Sequence, residues 1–241
     1  MNRTSSFSYI CNACGRCCHD KVIGISPFDL LRIAREAGVT TSEAIARFTI
    51  RRGSILKFRD GGACVALDGV RCGVHRGRPL ACRLYPLGIE RDGARGDDKF
   101  VTLEAAVGSL GVYGDRGTVD DFIEAQNVGP HLDANARYAS LLPLYRERIA
   151  ATVDFVRVLP REFWRCAVRE ALAESGYDPN PLIDATFDPD GFGCARASDA
   201  DTVAAHIEIL SKMIRREANP ELLAAAAVML AVSLGYSPGE V

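Results

Sequence analysis

Cys11-Asn12-Ala13-Cys14-Gly15-Arg16-Cys17-Cys18 is the stretch on which the reading of this chain turns. Four thiols fall within eight residues, and three more follow at Cys64, Cys72 and Cys82. Exposed thiols oxidise and cross-link, so so dense a group needs either disulfides or a metal to hold it. The chain has 9 cysteines, an odd number that suits a disulfide framework poorly. Met1 to Tyr9 is polar and lacks the apolar core of a signal peptide. The longest apolar run, Leu222 to Leu234, is too short to cross a bilayer. The expectation is therefore a cytoplasmic protein with no membrane partner, whose thiols stay reduced and bind metal.

Charge and length narrow the class further. A formal net charge of -2 argues against a nucleic-acid surface, which needs a basic excess. At 241 residues the chain can bury a substantial core, as one domain or two small ones. It carries no Gly-x-Gly-x-x-Gly after a strand, no P-loop, no His-Glu-x-x-His and no radical-type Cys-x3-Cys-x2-Cys.

Local patterns divide the chain in two. Residues 1 to 9 read as a frayed lead-in, and Val22 to Ile25 as a short strand. Ser26-Pro27-Phe28-Asp29 is a helix start, with Leu30, Ile33 and Ala34 as its apolar stripe and Gly38 as its stop. Thr40-Thr41-Ser42-Glu43 is a capping box that opens a second helix through Phe48. Ile55 to Phe58, Cys64 to Leu67 and Gly69 to Val74 are short segments cut by turns, and they predict small β-ribbons. Leu87 to Arg91 and Phe100 to Leu103 predict a hairpin over a charged loop. From Thr118 the pattern is helical. Thr118 with Asp121 caps one helix. Leu141, Tyr145, Ile149, Val153 and Val156 mark another, Pro160 to Gly176 a third. Asp178 to Gly193 reads as a loop. Ser198 with Asp201 caps a helix bearing Val203, Ile207, Leu210 and Ile214, and Asn219-Pro220 opens the last, closed by Gly235. The fold class is α+β. A cysteine-rich, loop-rich metal domain spans 1–127, with short helices and β-ribbons, and an all-α helical extension spans 128–241.

The thiol spacing bears on the metal. Cys-x2-Cys-x2-Cys opens the bacterial ferredoxin run, in which a fourth cysteine precedes a proline. Cys11, Cys14 and Cys17 supply the first three, and Cys82, with Pro86 close behind it, suits the fourth. The zinc alternative needs a second pair, and Cys64 with Cys72 is spaced more widely than a standard knuckle. Seven clustered cysteines overfill one four-ligand site and underfill two. His19 and His75 are further ligand candidates, His19 equally as a second-layer donor. Arg78 and Arg83 are candidates for hydrogen-bonding a thiolate-held cofactor, or for capping carbonyls. Cys166 and Cys194 read as inert, and His131 and His206 as structural. Arg51-Arg52 reads as a solvated face and Asp97-Asp98 as a turn.

Cys11-x2-Cys14-x2-Cys17-Cys18, then Cys64, Cys72 and Arg78-Pro79-x2-Cys82-Arg83-x-Tyr85-Pro86, resemble the CxxCxxCC family of zinc- or iron-chelating proteins over about residues 9 to 127. That family includes the YkgJ-like proteins, and flagellin lysine-N-methylase carries a related cysteine-rich domain. The resemblance implies Cys11, Cys14, Cys17, Cys18, Cys64, Cys72 and Cys82 as the metal ligands. Relatives carry a further cysteine where Ser109-Leu110-Gly111 stands here, so an eight-cysteine, two-site arrangement lacks one thiol. The favoured expectation is an iron–sulfur centre, 4Fe-4S above the others, in a redox or modifying metalloenzyme with a peptide or protein substrate. The alternatives are a zinc-stabilised binding module with a purely structural metal, non-cluster iron, and a metal storage or delivery protein.

Overall fold

The computed structural model describes residues 1–91, 98–152 and 181–236. Its helices begin where side chains can satisfy the first free backbone N–H groups. Ser26 Oγ accepts from Asp29 N–H while the Asp29 carboxylate accepts from Ser26 N–H, opening α1 (Pro27–Ala37). Gly38 closes it at φ 66, a left-handed conformation that favours glycine. Thr40 and Glu43 open α2 (Thr41–Phe48) in the same reciprocal way. Thr118 and Asp121 do so for α4 (Val119–Ala125). Ser198 caps α8 (Asp199–Arg216), and Asn219 caps α9 (Pro220–Ser233). The remaining described helices are α3 (Leu80–Leu84), α5 (Gly129–Ala139), α6 (Leu141–Thr152) and α7 (Pro181–Phe187).

The described strands form two-stranded antiparallel ribbons. β1 (Ser6–Ile10) pairs with β8 (Val112–Thr118), placing Tyr9 opposite Tyr113 and Ile10 opposite Val112. β2 (Thr49–Ile50) pairs with β3 (Ile55–Leu56), and β4 (Leu67–Asp68) with β5 (Arg71–Cys72). β6 (Leu87–Arg91) pairs with β7 (Asp98–Thr102) as the sequence predicts.

Several expectations are corrected. Residues 6–10 are a strand rather than a frayed end, because Phe7 reaches a buried cluster and stacks edge-on against Phe122 at 5.1 Å. Gly114 to Gly117 belong to the strand that receives it. Val22 to Ile25 make only a single bridge, from Gly24 to Ile55. Within the expected loop, residues 181–187 are helical, with Leu182, Ile183 and Phe187 buried. α5 had no separate expectation. The helix expected from Pro160 to Gly176, with Cys166, lies outside the described residues, as do Val153, Val156, Asp97 and residues 178–180.

Two apolar clusters hold these parts together. The larger takes Leu30, Ile33 and Ala34 of α1, Cys64, Leu67 and Val74 of the ribbon region, and buried side chains of helices α5 to α9. The smaller joins Phe7, Leu84, Leu87, Phe100, Val119, Phe122, Ile123 and Val128. The thiol-bearing segments lie against both, since Leu84 of α3 enters the second and Cys64 the first. No helix among the described residues is long and apolar enough to cross a membrane.

Candidate metal centre

The first knuckle is shaped by its backbone. Gly15 sits at φ 70, and Cys18 N–H donates to Gly15 O at 3.0 Å, closing a short 3-10 turn over Arg16–Cys18. That turn sets Cys17 Sγ 4.0 Å from Cys18 Sγ, about twice a disulfide bond length. Cys64 N–H donates to Cys18 O at 2.8 Å, so the ribbon region is stitched directly to the knuckle. β5 carries Cys72, and α3 carries Cys82. All described cysteines are free thiols.

Six of the seven candidate ligands influence one another electrostatically, and the seventh adjoins them. Cys18 feels Cys17, Cys82 and Cys72, Cys82 feels Cys64, Cys72 and Cys17, and Cys14 feels Cys17. Cys11 lies exposed at the end of β1, close enough to influence Tyr9 and Arg78. Burial pushes the thiols of Cys64, Cys72 and Cys82 up. The Cys17–Cys18 contact splits that pair, lowering Cys17 and raising Cys18. Cys14 is lowered by the backbone N–H groups of Leu110 and Arg16. Leu110 N–H reaches Cys14 Sγ at 3.5 Å, and Asn12 Nδ2 donates to Leu110 O at 2.7 Å, tying the loop before β8 to the knuckle.

The sulfurs are gathered without being closed. Among the described residues, no three His, Cys, Asp or Glu groups already form a set that could hold a metal ion. Burial favours the neutral thiol at Cys64, Cys72 and Cys82, and a bound cation would favour the thiolate by taking the proton's place. The donors themselves fit a soft or borderline cation, because sulfur selects zinc or iron over calcium or magnesium.

Both arginines are engaged in holding the backbone. The Arg83 guanidinium, buried at 4% exposure, donates to Arg78 O, Gln126 O and Arg76 O. Arg78 donates to His75 O at 2.8 Å and to Gln126 Oε1 at 2.6 Å. Arg78 nonetheless lies close enough to Cys17 and Cys72 to favour their charged forms. His75 Nδ1 accepts from Arg78 at 3.2 Å, and burial with that positive neighbour lowers its pKa. His19 Nδ1 donates to Gly15 O at 3.0 Å, leaving Nε2 as its remaining ring nitrogen.

Residues outside the cysteine pattern complete the surroundings. Tyr9 stacks edge-on with Tyr113 at 5.1 Å and Tyr85 at 6.1 Å, and burial pushes its pKa up to about 12. Gln126 receives both arginines. Asp29 and His131 pair at 2.6 Å and 2–3% side-chain exposure. In the sequence Asp29 is legible only as a helix-capping residue, and nothing near His131 or Gln126 marks either. Cys194 is fully buried, consistent with an inert thiol, and His206 is buried between the Tyr138 hydroxyl and Ala185 O.

A reduced, thiol-lined site of this kind defines a protein that binds a thiophilic metal. Residues 10–103 match the model of the CxxCxxCC family, described as a putative zinc- or iron-chelating domain. The match takes in all seven clustered cysteines with both arginines, and it stops short of the helical half. No curated protein and no solved structure matches the chain.

Proposed function

We propose that the seven clustered cysteines are the metal-binding set of a cytoplasmic redox or protein-modifying metalloprotein, Cys11, Cys14, Cys17 and Cys82 holding an iron–sulfur cluster of the 4Fe-4S type and Cys18, Cys64 and Cys72 remaining for further metal. The observation that carries this reading is the approach of free thiols from three separate segments, Cys11 with Cys17, Cys72, and Cys82, to one basic side chain, Arg78. Bound there, iron supplies one-electron chemistry or an electrophilic centre. The chain's own residues do the rest. Arg78 offsets thiolate charge, the apolar packing behind Cys64 and Leu84 limits water, and the exposed Cys11 leaves one side open to an approaching polypeptide. In this reading residues 1–127 carry the metal and 128–241 contribute substrate contacts.

Zinc is the second reading, and one observation favours it. Arg83 is committed entirely to backbone carbonyls, as in a site whose metal only fastens loops together.

The test is iron, zinc and acid-labile sulfide content, with a visible spectrum, on protein purified without oxygen. Iron with sulfide supports the cluster, and iron alone a thiolate-held iron. Zinc alone overturns the redox reading. Cys82→Ser is expected to lower metal content, and Cys194→Ser to leave it unchanged. Normal metal content in Cys82→Ser removes Cys82 from the ligand set.

A further inference from the structure

We infer that Asp29 is the positioning residue for Cys82, locking the short ligand-bearing helix to the molecule's main core. This rests on the reading above that Cys82 is a ligand. α3 has only five residues, and Pro79 at its cap provides no side-chain hydrogen bond to the helix. Its first N–H, on Leu80, points instead at Asp29 Oδ1, at 2.9 Å. The same oxygen takes His131 Nδ1 at 2.6 Å, while Oδ2 takes Ser26 N–H at 3.1 Å. One carboxylate at 2% exposure thus joins the start of α1, the start of α3 and the flank of α5.

A buried carboxylate is costly unless each oxygen is satisfied, and these three donors satisfy it. Ser26 N–H and Asp29 alone would complete the α1 capping box, so capping does not account for the Leu80 and His131 bonds. Those two run to segments 51 and 102 residues away in the chain. α3 is fixed at its other end by Arg83, whose guanidinium grips the carbonyls of Arg76, Arg78 and Gln126. Cys82 lies between these two anchors. A helix of this length has no stability of its own, so the direction of its thiol is set from outside. Asp29 is near enough to Cys82 to influence it electrostatically, while its oxygens are taken by Leu80, His131 and Ser26.

The experiment is a cobalt(II) titration of metal-free protein under argon, reading the thiolate-to-cobalt charge-transfer absorbance per bound ion. That intensity scales with the number of coordinating sulfurs, a readout that general loss of stability does not move in folded protein. Cys82→Ser is expected to lower it. Asp29→Ala is expected to lower it by the same amount, and the double variant to fall no further. Leu80→Pro deletes the donated N–H at a helix position that tolerates proline, leaves Asp29 with its cap and His131 pair, and is expected to reproduce the loss. Circular dichroism identifies which variants are folded, and Leu80→Pro decides the matter if Asp29→Ala is not. Wild-type intensity in the folded variants, with reduced intensity in Cys82→Ser, overturns the role of Asp29 alone. Wild-type intensity in Cys82→Ser overturns the ligand reading on which it rests.

Discussion

His206 illustrates how a single buried side chain makes stability depend on pH. It lies at 0% exposure, with its Nδ1 accepting from the Tyr138 hydroxyl at 2.8 Å and its Nε2 donating to Ala185 O at 2.7 Å. That pattern fits neutral imidazole, and burial lowers its pKa to about 4 despite the nearby carboxylates of Asp188 and Asp190. In the unfolded chain the same ring titrates near 6.5. Between those values the unfolded state holds the proton and the folded state does not. Stability from this group is therefore intact above pH 6.5, falls as the pH drops toward 4, and levels off below. Each pH unit is worth about 1.4 kcal/mol, so the loss amounts to about 3 kcal/mol. Urea unfolding at pH 7 and pH 4.5 is expected to show a smaller difference for His206→Gln than for the native protein. An equal difference in the two would remove His206 from the explanation. Gly111 makes a separate residue-scale case. A Cβ there would meet the Tyr9 hydroxyl at 2.0 Å, in a ring already packed against Tyr85 and Tyr113. Gly111→Ala is expected to cost about 1–3 kcal/mol in chemical denaturation, the usual cost of overpacking.

At the scale of elements, legibility followed the range of the forces involved. Ser26 with Asp29, Thr40 with Glu43 and Thr118 with Asp121 are caps complete within four residues, and the structure places a helix after each. The 87–102 hairpin was readable for the same reason. β1 was not, because Ser6 to Ile10 becomes a strand only through Val112 to Thr118, a pairing across about a hundred residues. α7 was hidden by Pro181 and Asp184, whose composition suggests a loop until Leu182, Ile183 and Phe187 find their core. The thiols stand out in sequence because cysteine spacing is itself the signal, whereas Asp29 and His131 acquire meaning only when α1 and α5 pack. Ala224 to Ala227 look like unremarkable helix in the sequence, yet all four are at 0% exposure in α9. A helix apolar on every side belongs in an interior, and small residues there mark close approach of its neighbours. Ala226→Leu is expected to destabilise by about 1–3 kcal/mol, measured as a lower urea midpoint with an unchanged slope.

Across the whole molecule, the reading proposed above has a thiol-held metal and the apolar core divide the work of holding the chain. The ribbons β2–β3 and β4–β5 have two residues per strand, too short to be stable alone. Leu56 and Leu67 tie them to the main core, and Cys72 also ties β4–β5 to whatever draws the thiols together. α8 and α9 carry no candidate ligand and bury Val203, Leu210 and Ile214 with Leu223 to Ala231 of α9. Removing the metal therefore takes one of two supports from residues 11–20 and 60–76, and none from α8 or α9. Hydrogen exchange before and after chelation is expected to show faster exchange at Cys18 and Gly73, whose N–H groups bond within these segments, and at Cys64, whose N–H joins the two. Protection in 203–214 and 223–231 is expected to persist. Uniform loss of protection would mean that the metal supports the entire core rather than its thiol-bearing edge. No change anywhere would mean that packing alone fixes the knuckle, leaving the sulfurs free to serve a reactive centre without also serving as its scaffold.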